Sequence, residues 1–308
     1  MARSSRHVAH ERATYPARMY ATISAGTKRA GAVHSAMLRW FLRLSLALAG
    51  LTAAAAEPAA PAPGGAVPPL LLDALGKVAA NFDRWAYTET RMMTDEHGVP
   101  QPETVVRFDP SKPYAEQYLP LKVNGKPPTG KQLKEFRQRG EKRGEKFAKQ
   151  EAEGKVPGSE LPRFGFNGGT ASIDLAHATL ASENADSVTF EVPLRNDGHG
   201  TLPVEKFQLF ARVNRTTHAF ENVALRVRSA FRVKLVVKVK SGEASIDFAP
   251  VGPAYDPAPV TMSGDATATV LFMKFGGGFE LKRTEFARVK PYGERFGVKI
   301  GPMKALDF

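Results

Sequence analysis

Residues 231–248 read FRVKLVVKVKSGEASIDF, and their alternation decides the fold class. Phe231, Val233, Leu235, Val237 and Val239 occupy every second position, with Arg232, Lys234, Val236, Lys238 and Lys240 between them. Successive side chains of a strand point to opposite faces, so the pattern predicts a strand with one apolar and one polar face. Arg226 and Arg228 extend its basic side upstream, giving a cationic strand from Arg226 to Lys240. After Ser241-Gly242, Ala244, Ile246 and Phe248 repeat the alternation.

Outward from this stretch the same period recurs. Phe207, Leu209, Ala211 and Val213 alternate with Lys206, Gln208, Phe210 and Arg212. Val188, Phe190, Val192 and Leu194 form another such run, and Ile173, Leu175 and His177 a shorter one. On the C-terminal side, Val270 and Phe272 lead to Gly276-Gly277-Gly278, read as a turn between two further strands, the second over Phe279 to Val289. On the N-terminal side, strands are expected over Trp85 to Met93, Thr104 to Phe108 and Glu116 to Val123, the last closed by the tight-turn pair Asn124-Gly125. About ten strands with few helices imply an antiparallel sheet large enough to curl.

Two helices interrupt the pattern. Pro68-Pro69 opens the first, and Leu71, Leu72, Leu75, Val78, Ala79 and Phe82 place one apolar stripe on about four turns ending near residue 84. The second is a charged helical insertion over 129–153, with Thr129 as its cap. It holds eight Lys/Arg from Lys131 to Lys149, with Glu135, Glu141, Glu145 and Glu151 interspersed, and only Leu133, Phe136 and Phe147 as large apolar residues. Gly140 and Gly144 each cost about 1 kcal/mol against Ala in a helix interior, so this helix is expected to dock weakly along a thin stripe. Residues 154–170 read as a Gly/Pro-rich loop.

The N-terminal region sets the compartment. From Met37 the chain reads MLRWFLRLSLALAGLTAAAAEP, with Arg39 and Arg43 before the apolar run Leu44–Leu51 and a small-residue site at Ala54-Ala55-Ala56. That is a secretory signal peptide over 37–56, too short in its apolar part to anchor. Residues 1–36 then read as an upstream extension with translation starting at Met37, and 57–69 as a Pro/Ala/Gly linker ahead of a single β domain over 70–308. The expected product is periplasmic. It has no cysteine to carry a lipid anchor or a thiol chemistry.

Residues 1–56 hold eight of the 43 Lys/Arg and one of the 31 acids, so the remainder carries a formal charge of +5 rather than +12. That mild balance is not one for nucleic acid. His97, His177, His199 and His218 are not at metal-ligand spacing, and H-E-x-x-H, G-x-S-x-G and P-loop patterns are absent. No cofactor, metal or catalytic set is expected. A hydrolase whose carboxylates meet only in space stays open. Two surfaces carry excess cations, the Lys131–Lys149 helix and the Arg226–Lys240 strand. Each suits an anionic membrane or an acidic protein surface; the alternative for the helix is a solvated face, and for the strand an edge guarded by lysine.

The order of elements (signal peptide, amphipathic helix, three strands, charged helix, long meander) resembles the periplasmic lipoprotein carrier and receptor superfamily of the Lol type (LolA/LolB-like). The phrases Val106–Pro113 (VRFDPSKP) and Leu121–Thr129 (LKVNGKPPT) resemble uncharacterised secreted bacterial proteins with this layout. The resemblance implies a mainly β (α+β) fold, a curled antiparallel half-barrel with an N-terminal helix and an inserted charged helix. It also implies binding of a lipid, a lipoprotein acyl chain or another apolar ligand. Alternation turns Phe108, Phe207, Leu209, Phe231, Val233, Leu235 and Phe272 toward the concave face, where they line a pocket or, if the first helix covers that face completely, an ordinary core. The alternative function is an envelope interaction module without a ligand.

Overall fold

The long alternating stretch is two strands, not one. In the computed structural model, which describes residues 66–81, 83–154, 164–166, 169–196, 203–233, 237–270 and 273–295, β11 (Phe231–Val233) pairs antiparallel with β12 (Val237–Ala249). Phe231 faces Val239, Arg232 faces Lys238 and Val233 faces Val237. Odd positions oppose odd positions, so the alternation survives the reversal and cannot reveal it. Arg226 belongs to a different strand, β10 (Phe220–Val227). The expected cationic strand from Arg226 to Lys240 is therefore three strands.

Ser241-Gly242, after which the alternation repeats, lies inside β12. Val239 opposes Ala268 and Ser241 opposes Thr267, so Lys240 is an extra residue in the ladder. A β-bulge of this kind flips the phase of everything after it. Val239 is buried before the bulge, and Ala244 and Ile246 after it. The expected turn at Gly276-Gly277-Gly278 is corrected. These glycines run through β14 (Met273–Arg288), which forms a hairpin with β13 (Ala258–Val270) by pairing Val270 with Met273. Gly277 has φ +142°, and a Cβ there would lie 2.4 Å from the Thr94 carbonyl oxygen. Glycine is needed because β1 (Trp85–Thr94) passes so close.

The remaining strands are β2 (Thr104–Phe108), β3 (Tyr118–Lys122), β4 (Phe164–Phe166), β5 (Gly169–Ile173), β6 (Thr179–Glu183), β7 (Ser187–Val192), β8 (Leu194–Asn196) and β9 (Phe207–Asn214). The alternation through Leu175 and His177 ends in a 3-10 turn, where Asp174 Oδ2 meets His177 Nδ1 at 2.9 Å and the His177 backbone N–H donates to the Asp174 carbonyl. Ten strands follow the order β3-β2-β1-β14-β13-β12-β10-β9-β7-β6, with β11 beside β12, in one antiparallel sheet that does not close into a barrel. A small sheet has the order β4-β5-β8. The structure is mainly antiparallel β, as the alternation predicts.

One face of the large sheet is the core. Ala211, Val223, Ile246, Met262 and Leu281 form a cross-strand row from β9 to β14, all buried. Helix α1 (Pro69–Ala80) is three residues or so shorter than expected and buries Leu71, Ala74 and Leu75 over one end of this face. Helix α2 (Gly130–Ala152) lies at the other end, against β3 and the 3-10 turn Tyr114–Glu116. Among the described residues no helix is long and apolar enough to cross a membrane. The expected extension 1–36, signal peptide 37–56 and most of the linker lie outside the described residues.

Candidate functional site

Helix α2 starts from a capping box. Thr129 Oγ1 accepts from the Gln132 backbone N–H at 3.3 Å, and Gln132 Oε1 accepts from the Thr129 N–H at 2.8 Å. Phe136, Gly140, Gly144, Phe147 and Gln150 then fall on one buried stripe. The two glycines mark the closest approach. A Cβ on Gly140 would sit 1.8 Å from the Tyr114 carbonyl oxygen, and one on Gly144 2.5 Å from the Tyr114 ring. Tyr114 is packed edge-on between Phe147, at 5.9 Å, and Tyr292, at 5.6 Å. The weak docking expected from the glycine cost is corrected: their missing side chains are what let the helix seat deeply.

Arg143 fixes that seat. It donates to Asp83 and to Gln117 Oε1, and its guanidinium lies over the rings of Phe108 (5.1 Å) and Phe147 (4.8 Å). Asp83 occupies the connection from α1 to β1 with a left-handed φ of 53°. Burial pushes its carboxyl above the usual range, and Arg143 pulls it only part of the way back. Gln117 is buried and spends its amide N–H groups on the Pro110 and Lys112 carbonyls. One arginine thus ties α2 to the α1–β1 connection, β2 and the segment before β3.

The outward side of α2 is cationic. Arg139, Lys142, Lys146 and Lys149 recur at i, i+3, i+7 and i+10, a single stripe about 15 Å long at helical rise. Lys131, Lys134 and Arg137 are also exposed. Arg139 leans over the Phe136 ring at 4.5 Å, and Lys149 reaches Glu153 at 4.0 Å. Lys131, Lys134, Arg137, Lys142 and Lys146 have no ion-pair partner among the described residues. Glu141 and Glu145 lie on the neighbouring side of the helix, and exposed Leu133 and Ala148 stand away from the stripe.

Beneath this platform the apolar row of the core ends in charge. Glu89 accepts from Arg283 Nε at 3.0 Å and from Arg91 Nε at 2.6 Å. Burial alone would raise Glu89, but the two guanidinium groups outweigh it and hold the carboxyl below its usual range. Arg283 also lies 4.3 Å over Tyr87, whose hydroxyl is pushed up by burial. Every one of these charges is occupied, which suits a structural seam and leaves no free base.

On the opposite face, Met92, Thr94, Pro100, Ser245, Ser263, Glu243, Asp265 and Glu280 border an open groove of about 460 Å³. Glu243 stands directly opposite Asp265. Arg226 engages Glu243 at 2.9 Å and Lys282 engages Glu280 at 3.0 Å. Burial first, and Glu243 second, push Asp265 up. No group of three or more His, Cys, Asp or Glu among the described residues is placed to hold a metal ion.

The sequence-predicted pocket residues do not share one lining. Phe108 is buried under Arg143. Phe207 and Phe231 pack on each other at 5.3 Å. Leu209 lies beneath Leu71 and Leu75 of α1, with Ile173, Val192, Phe220 and Val223, around a space of about 10 Å³. Val233 lies in β11, and Leu235 and Phe272 fall outside the described residues. Sequence reasoning found the cations and the cap of α2 but missed the Arg143–Asp83 tie. The only available signal was the Gly140/Gly144 pair four residues apart, which marks a close helix approach.

No protein-family model, no curated protein and no solved structure matches this chain.

Proposed function

We propose that this chain is an exported, non-enzymatic envelope protein that works by surface contact through the cationic side of α2, without enclosing a ligand. The carrying observation is a row of exposed cations, Arg139, Lys142, Lys146 and Lys149, on a helix that a capping box, two glycines and Arg143 hold in one place. Pre-organised charge costs little further ordering on contact. The carrier function implied by the Lol resemblance needs room for an acyl chain, and apolar ligand sites run to about 300 Å³ or more. The apolar space under α1 is about 10 Å³, and the groove of about 460 Å³ on the opposite face is open and carries Glu243, Asp265 and Glu280 on its border. Export rests on residues 37–56.

Intact mass tests both parts. The chain expressed from Met37 and purified from the periplasm is expected to begin at Glu57 and to show the same mass under native and denaturing conditions. A lipid-sized adduct released on denaturation overturns contact in favour of carriage, and an uncleaved mass overturns export.

A further inference from the structure

The stripe formed by Arg139, Lys142, Lys146 and Lys149 is straight, about 15 Å long and exposed over its whole length. It contains no apolar residue, and the aromatic residues of α2, Phe136 and Phe147, are turned into the protein. Specific protein interfaces are built around a desolvated apolar or aromatic centre with charge at the rim. This face has only the rim. An anionic bilayer surface needs no such centre, because headgroup charge attracts basic side chains at a distance and each contributes independently. The chemistry of the cations agrees. Three of the four are lysines, hydrated point charges that do not demand the bidentate geometry of a particular carboxylate.

The helix is also prevented from entering the bilayer. Interfacial amphipathic helices bury their apolar stripe in the acyl boundary. In α2 that stripe is already buried against Tyr114, with Arg143 held by Asp83 and Gln117. Contact with lipid would therefore be confined to headgroups.

Resting on the surface-contact reading above, we infer that the partner of α2 is an anionic phospholipid surface, bound reversibly by Arg139, Lys142, Lys146 and Lys149 without insertion. The purified full-length exported chain is sedimented with large vesicles of phosphatidylglycerol and phosphatidylcholine, and with vesicles of phosphatidylcholine alone. Binding is expected only to the anionic vesicles. It is expected at about 0.05 M salt and to be lost near 0.5 M, where screening shortens the reach of the charges to a few ångström. The variant K142Q/K146Q/K149Q is expected to bind about a hundredfold more weakly, with far-UV circular dichroism and urea midpoint unchanged. Substitution of the exposed Arg232 and Lys238 by Gln is expected to leave binding intact.

Equal binding to neutral vesicles, or full binding by the triple variant, overturns the inference. So does the absence of vesicle binding at low salt. In that last case an adduct-free native mass leaves the contact reading standing with an acidic protein as partner. A lipid adduct in the native mass overturns the contact reading whatever the vesicles show.

Discussion

Arg283 stands directly opposite Glu89 across the β1–β14 ladder, and its Nε donates to Glu89 Oε2 at 3.0 Å where Glu89 is only 5% exposed. Breaking such a pair leaves a buried charge without its counter-charge. Glu89→Gln strands Arg283, whose side chain is 8% exposed, and is expected to lower stability by about 3–5 kcal/mol in urea unfolding. The double change Glu89→Leu/Arg283→Met removes both charges and is expected to recover most of that loss. A double variant as unstable as the single one would mean that the charges themselves, not their pairing, hold the seam.

The Glu89 and Asp83 carboxylates act oppositely with pH. Glu89 is held below its ordinary 4.5, so the unfolded chain takes up its proton first. Its contribution is complete above about pH 4.5 and is lost as the pH falls through the lower folded value. Asp83 is raised above 3.8, so the folded chain holds its proton more tightly. Its contribution is present at low pH and is lost as the pH rises through the raised folded value. Asp83→Asn, which can still accept from Arg143, is expected to flatten the decline of stability above pH 4. Glu89→Gln is expected to flatten the acid limb. Urea midpoints from pH 3 to pH 7 check both.

Glycine-to-alanine changes should separate the two helices by sign. Gly76 in α1 has nothing within 4 Å of its missing Cβ. Gly76→Ala is expected to stabilise by about 0.5–1 kcal/mol through helix propensity alone. Gly140→Ala gains the same propensity but places the new methyl on the Tyr114 carbonyl oxygen. It is expected to destabilise by about 1–3 kcal/mol as the packing is forced apart. Gly144 meets only the Tyr114 ring, so its change should cost less. Thermal midpoints of the three variants test the ranking.

In the outer groove, Asp265 is raised by burial and by Glu243 opposite it. Glu243→Gln removes the neighbouring negative charge, so the Asp265 carboxyl is expected to titrate at lower pH, read by carboxyl carbon NMR shifts. An unchanged titration would mean that burial accounts for the whole shift.

The element types were legible where the alternation was strong and local. β1, β2, β9 and the cap of α2 follow from their own side chains. The inward direction of Phe108, Phe207, Leu209 and Phe231 was legible for the same reason. Most of β13 was not, because apart from Met262 its inward positions are small: Ala258, Gly264, Ala266 and Ala268 give little apolar signal. Gly264 is small because the Phe279 ring of β14 occupies the space a Cβ would take. The cause of that residue lies on another strand.

By itself the sequence determined a mainly antiparallel β chain, a capped charged helix and an exposed excess of lysine, since periodicity and charge are properties of neighbouring residues. Only the tertiary structure decided that the 231–248 run is a hairpin followed by a bulge, because pairing partners and extra ladder residues leave parity as their only trace. It alone placed Leu71 and Leu75 of α1 over Ile173, Leu209 and Phe220, because that contact depends on how volumes from four strands and a helix meet. It also decided that Arg143, one cation among eight on its helix, turns inward to Asp83 sixty residues away. Charge is written locally, but which charge is buried depends on what the chain folds against it.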